Sequence, residues 1–400
     1  MLGAVARLHV GVWSFVVVAA VQTFNLVDRG MPWRGEWNWA VDWAGSGLII
    51  LGPLLAGIAA VDGGRLGNER RLPQTHTLPG PLRAVWGLWL TATVASSTAH
   101  LASLGVFLVL ADSATAVPRG PSLLLVVAQL AALSAYILLG SVLGRLLGAV
   151  LGAPISVVGA VWVYWELGRS SETFSAFNVG AATSSLLGLQ FSIRHLLLQL
   201  AYLAGFVAVC FLVHAVTKPR LRVATVSAAF LMVAALNTVP NELPRLEGHP
   251  VSPSRCMADQ VTVCVYPDHQ RFLAGLSRDA ARVRAAADRA GIGDLLPAIY
   301  VERVPGEGVR PADDQRGRLE IMPDHFESGE VPTANVIYSM VLPWHCPNLY
   351  GDSPPPPAFS AAVDGIADML TTLVDSDQNA PPTVRNEARA RMSMINACGS

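Results

Sequence analysis

Before residue 241 the chain carries about seven runs of roughly 20 mostly apolar residues, and a run of that length crosses the hydrocarbon core of a bilayer as a helix. The runs cover approximately 9–26, 44–61, 84–110, 122–144, a fifth ending near Trp165, 196–216 and 223–239. The composition agrees: of 400 residues, 52% are hydrophobic and 14% charged, with a mean hydropathy of +0.43, where soluble domains carry about 25% charged residues. Fourteen Lys+Arg and eight Asp+Glu give residues 1–240 a net +6. The remaining residues hold fourteen and twenty-one, a net −7. The sequence therefore predicts an α-helical polytopic membrane domain over 1–240, followed over 241–400 by a small α+β extracytoplasmic domain.

The basic residues set the expected orientation. With the N terminus cytoplasmic, the inner segments hold Arg7, Arg65, Arg70, Arg71, Arg83, Arg145, Lys218, Arg220 and Arg222, and the outer ones hold Arg29, Arg34, Arg119, Arg169 and Arg194. Positive charge concentrates on the cytoplasmic side of membrane proteins. An uncleaved first span and six more then place 241–400 outside, in a cell membrane, with Trp33, Trp37, Trp39 and Trp43 at the outer interface.

Cysteine usage supports that placement. Cys210 lies within the sixth run, whereas Cys256, Cys264, Cys346 and Cys398 all fall in the second half, an even number in an oxidising compartment. The short spacing favours a Cys256–Cys264 disulfide, leaving Cys346 to pair with Cys398. In the same half, alternation predicts strands over 261–265, 298–304, 319–322 and 335–342. Helical spacing predicts helices over 271–290, 359–374 and 382–395, the first bearing the surface pairs Asp279–Arg282 and Arg284–Asp288.

Several activities are excluded or unsupported. The only lysine, Lys218, follows no glycine loop, so this chain contains no P-loop ATPase. No basic run interleaved with aromatics suggests nucleic-acid binding. Asp324, His325 and Glu327 invite a metal reading and His345-Cys346 a nucleophile reading, but neither has a recognised spacing, so we expect no enzyme activity in this chain, no cofactor and no metal. Polar residues inside the runs are the remaining candidates. His100, His195, Gln199 and His214 either line a translocation path or hydrogen-bond between helices as packing groups. No carboxylate is expected deep in a span.

The stretch Gly52-Pro53-Leu54-Leu55-Ala56-Gly57-Ile58-Ala59-Ala60-Val61-Asp62, followed by Arg65 and Arg70-Arg71, resembles the second span and inner loop of permease subunits of actinobacterial ABC-2-type transporters. The segment between the fifth and sixth runs, polar from Ser170 and apolar over 186–191, is similar to the outer re-entrant helices of that family. Cys256 through Cys264-Val265-Tyr266-Pro267 resembles the outer domain of some actinobacterial permease-like proteins. The resemblance implies a membrane subunit in a homo- or hetero-oligomer, working in lipid with a separate P-loop ATPase docked on Arg65, Arg70 and Arg71 to export or move an apolar or amphipathic substrate. A seventh span and a large C-terminal domain depart from the family pattern. The alternative is a non-transporting sensor or assembly factor whose outer domain binds a ligand or partner protein.

Overall fold

The computed structural model describes residues 2–68, 81–111, 120–167, 177–180, 185–215, 243–249, 252–303, 316–343, 345–346, 355–376 and 378–398. The chain divides into two compact units, the first running to His249 and the second comprising Pro250 onward together with Met31–Glu36.

The first unit is a helical bundle of α1 (Leu2–Asp28), α2 (Trp37–Ser46), α3 (Leu48–Asn68), α4 (Pro81–Leu110), α5 (Gly120–Leu167) and α6 (Ile193–Ala215). Among the described residues, five helical stretches are long and apolar enough to cross a membrane: Val10–Asp28, Trp37–Arg65, Val85–Leu110, Gly120–Trp162 and Ile193–His214. The second begins at Trp37 rather than near residue 44, because the Trp-rich stretch is itself helical, with Trp39 and Trp43 buried among protein groups. The expected fourth and fifth runs are the two arms of α5. Their reversal lies at Gly148, whose φ of 79° suits a residue without a Cβ, rather than at Arg145. A Cβ on Gly152 would lie 2.6 Å from Gly144 Cα, which only a folded-back chain brings about. The expected seventh run, 223–239, lies outside the described residues.

Small residues explain why α3 and α5 associate in a medium that gives apolar surfaces no hydrophobic drive. Gly52, Ala56, Ala60 and Gly64 recur every four residues on α3, and Tyr136, Gly140, Gly144 and Gly148 do so on α5. The two series meet in register and run parallel: Gly52 faces the Tyr136 ring, Gly140 the Ala56 carbonyl, Gly144 the Ala60 carbonyl, and Gly64 the chain at 148–149. The second arm closes on the same helix, with Val157 beside Gly57. Elsewhere Val85 and Trp89 of α4, Leu138 and Val142 of α5, and Cys210 and Val213 of α6 form one apolar contact, in which Phe211 stacks on Trp86 at 4.7 Å.

The apolar segment expected as re-entrant does not form a helix at its C-terminal end. Leu189–Phe191 is strand β1, paired antiparallel with β2 (Leu246–Gly248). With only a few apolar residues, the segment gains more by ladder pairing than by starting a helix, whose nucleus costs three ordered residues for its first hydrogen bond.

The second unit is α+β. Its sheet has the order β3 (Arg255–Ala258), β4 (Thr262–Val265), β5 (Ile299–Glu302), β6 (Arg316–Leu319); β3 is antiparallel to β4 and the other pairs are parallel. Helix α7 (Leu273–Arg289) connects β4 to β5, as a parallel pair requires, and buries Leu276, Ala280, Val283 and Ala287. Its exposed face carries Asp279–Arg282 at 3.4 Å and Arg284–Asp288 at 3.6 Å. Gly317 lies opposite Tyr300 in the register, and the Tyr300 ring occupies the space a side chain there would need. Helices α8 (Pro323–Ser328), α9 (Thr333–Val341), α10 (Pro357–Val374) and α11 (Pro382–Asn396) follow. The strand expected over 335–342 is therefore helix α9. Val336, Ile337, Met340 and Val341 are its buried apolar residues, an i, i+1, i+4, i+5 pattern that outweighs the β-branched composition.

The cysteines pair as expected. Cys256 and Cys264 face each other across β3 and β4 with Cα atoms 4.0 Å apart, and Cys346 joins Cys398 at 5.3 Å. The separations of 8 and 52 residues make the second crosslink the stronger restraint on the unfolded chain, about 4 kcal/mol against about 2.5 kcal/mol by loop closure.

Candidate functional site

The polar residues of the bundle converge on one interruption. Helix α2 ends at Ser46 and α3 begins at Leu48, so the last carbonyls of α2 lose their intrahelical donors within the protein interior. Side chains one turn apart on α1 supply replacements. Gln22 Nε2 donates to Ala44 O at 2.9 Å, and Asn25 Nδ2 donates to Trp43 O at 3.1 Å. Arg29 follows on the same face: its guanidinium donates to Ser46 Oγ at 2.6 Å and lies 4.0 Å from the Trp43 ring, a cation at a helix C terminus.

His100, wholly buried in α4, extends this network. Gln22 Nε2 also lies 3.0 Å from His100 Nδ1, and His100 Nε2 lies 3.0 Å from Gln129 Oε1 on α5. The donors fix a neutral ring: the Gln22 amide donates to Nδ1 and Nε2–H donates to Gln129. Gln129 Nε2 then donates to Val41 O and Val179 O, each at 3.0 Å. Gly45 leaves room for that amide, since a Cβ there would collide with it. Among the described residues Gln22 Oε1 has no partner. Asp42, fully buried on α2, pairs with Arg245, and Asn38 accepts a hydrogen bond from Ser122. A carboxylate therefore does lie inside a membrane-length helical stretch. The sequence does not mark it, because the surrounding tryptophans read as an outer-interface belt.

The other expected path residues are not gathered here. His195 and His214 lie nineteen residues apart on α6, about 28 Å at 1.5 Å per residue. His195 Nδ1–H donates to Leu243 O at 3.1 Å, Gln199 to Asn178 O at 3.1 Å, and Arg145 donates to His214 Nδ1 and O at 3.0 and 3.1 Å. Arg65 is paired with Asp62 at 2.9 Å and is otherwise largely exposed, whereas Arg70 and Arg71 lie outside the described residues.

Replacing His100 by alanine is expected to leave Gln22 and Gln129 short of partners at a cost of about 1–3 kcal/mol. The thermal stability of the detergent-solubilised full chain should fall accordingly. Unchanged stability would show that His100 is not held by these amides.

A second buried cluster lies in the second unit. His269 sits between two carboxylates: Nδ1 contacts Glu302 Oε1 and Nε2 lies 3.3 Å from Glu36 Oε1. All three side chains are nearly inaccessible, and Glu302 Oε2 also accepts the Tyr266 N–H at 2.9 Å. Burial disfavours the charged ring, but Glu302 and then Glu36 outweigh it and raise the His269 pKa to about 10. Phe272 and Phe326 close around the imidazole. Arg271, over both phenyl rings, donates to Arg34 O and Phe326 O, each at 2.9 Å. No motif links residues 36, 269 and 302, so this trio had no signal in the sequence.

Of the expected Asp324, His325 and Glu327 group, His325 Nε2 lies 3.8 Å from Asp324 Oδ1, and the Glu327 side chain lies outside the described residues. His325 Nδ1 accepts the Met322 N–H at 3.1 Å, its Nε2 hydrogen-bonds the Asn335 amide at 2.7 Å, and burial keeps its pKa below the usual range. These contacts hold the start of α8. Comparison with protein-family models, with characterised proteins and with solved structures gave no match.

Proposed function

We propose that this chain is a membrane subunit of a transport-class assembly, with ATP hydrolysed on a separate chain and an apolar or amphipathic molecule as cargo. The observation that supports this reading is the interrupted helix at Gly47, whose terminal carbonyls are met by neutral side chains in the bundle interior. Interrupted helices are tolerated at membrane depth where protein groups or a cavity satisfy their backbone, and half-helix ends are recurrent binding and hinge points of transporters. Gln22, His100 and Gln129 are exchangeable donors and acceptors rather than fixed charges, so this junction can change partners without moving an ion through lipid. On this reading the N terminus is cytoplasmic, residues 241–400 are extracytoplasmic, and the chain assembles with a further copy or a different subunit in the cell membrane.

The second reading, a non-transporting assembly or sensing factor, draws on the second unit, which has its own sheet, helical core and two disulfides. Copurification separates the two. A P-loop ATPase should accompany the detergent-solubilised chain, and replacing Arg65, Arg70 and Arg71 by alanine should release it while the chain stays inserted. Absence of any ATPase from the wild-type complex would favour the second reading.

A further inference from the structure

Among the described residues, one group brings three potential metal-ligating side chains together: His345, Cys346 and Cys398, whose ligand atoms all lie within 4.8 Å of one another. Cys346 is buried at the end of the segment after α9, and Cys398 lies two residues past α11. Two features separate this group from an ordinary crosslink. His345 Nε2–H donates to the Asn396 carbonyl at 3.0 Å, which fixes the tautomer and leaves the Nδ1 lone pair available. A backbone carbonyl on the far nitrogen is the usual outer partner of a metal-bound imidazole. Cys398 also has a φ of 58°, alone in the left-handed region among the described non-glycine residues. A β-carbon disfavours that conformation, so the surrounding chain holds the sulfur in place.

We propose that His345, Cys346 and Cys398 form a redox-gated site for a thiophilic divalent cation such as zinc. In the oxidised protein the site is empty, because both sulfurs share a covalent bond. A dithiol reductant would transfer two electrons and two protons to the Cys346–Cys398 disulfide, giving two thiols and the reductant's own disulfide. The cation then binds the two sulfurs as thiolates, displacing two protons, with the imidazole as third ligand. Water completes a tetrahedral set, an arrangement known for Cys₂His zinc. The sulfurs need separate only by the width of that coordination shell, and the imidazole is already within reach. A disulfide oxidant would take up the two electrons of the thiolates, becoming a dithiol as the Cys346–Cys398 bond re-forms, and the metal would be released.

Cobalt(II) provides the test, because thiolate coordination gives it a charge-transfer absorption. The full chain in detergent, reduced with a phosphine, should bind one equivalent of cobalt(II) with that absorption, and the oxidised chain none. The Cys346→Ser/Cys398→Ser variant should lose the signal, and the Cys256→Ser/Cys264→Ser variant should keep it. His345→Ala retains both cysteines and after reduction should bind at least tenfold more weakly. Zinc should also raise the thermal transition of the reduced chain but leave that of the oxidised chain unchanged. Equal binding by His345→Ala, a signal surviving loss of Cys346 and Cys398, or no thermal shift with zinc would each overturn the proposal.

Discussion

Substituting alanine at Gly140 or Gly144 is expected to separate α3 from the first arm of α5 and to cause the largest loss of stability of any single methyl added to the bundle. At both positions the new carbon would run into a carbonyl of α3, Ala56 O or Ala60 O, and neither is the end of a flexible side chain. The helices would have to move apart along a seam that depends on close approach. Overpacking ordinarily costs about 1–3 kcal/mol, and contact with backbone belongs at or above the upper end. Gly159 is the internal control, since a Cβ there meets nothing within 4 Å. Thermal unfolding of the three purified variants checks this; equal melting of Gly144→Ala and Gly159→Ala would show that the seam is not close-packed.

Removing the ring at His269 should be at least as damaging, in this case to the second unit. His269→Ala leaves Glu36 and Glu302 buried without the cation between them, and breaking a buried pair from one side costs about 3–5 kcal/mol. The same interaction predicts a pH dependence. The folded pKa of about 10 lies above the unfolded value near 6.5, so the native state holds its proton more tightly. The stabilisation is complete below the unfolded pKa and is lost as pH rises toward 10. Hydrogen exchange of 262–272 in the intact chain should accelerate in the wild type between pH 7 and 10, after correction for the intrinsic rate. In His269→Ala it should already be fast at pH 7. A flat wild-type profile would place the proton elsewhere.

What was legible in the sequence followed from periodicity and from charge. Five membrane-length helical stretches, α7, α10 and α11, both disulfides and the α+β class of the second unit are readable because each depends on residues close in sequence or on a count. The errors share a cause. Trp33, Trp37, Trp39 and Trp43 read as an outer-interface belt because they are aromatic, yet Asp42 among them is buried and satisfied by Arg245, some two hundred residues away. Residues 335–342 look like a strand by composition, but α9 buries them at helical spacing. His100 was singled out and its partners were not. Gln22 and Gln129 acquire their roles from the interruption of α2, and no local pattern indicates which carbonyls an interruption will expose. His269 depends on two carboxylates 233 and 33 residues distant, contacts that only the tertiary fold creates.

The clasp of α5 around α3 also orders events during synthesis. Helix α3 leaves the ribosome first and presents a stripe of glycine and alanine whose complement has not yet been made. Both arms must follow, and the chain must reverse at Gly148, before Gly57 and Ala60 are covered from two sides. Until then α3 is an unfinished surface in the bilayer, open to any helix with a matching stripe. A truncation ending between the arms would leave it so permanently, and quality-control proteases that survey the membrane would meet a half-closed intermediate rather than a shorter version of the same bundle.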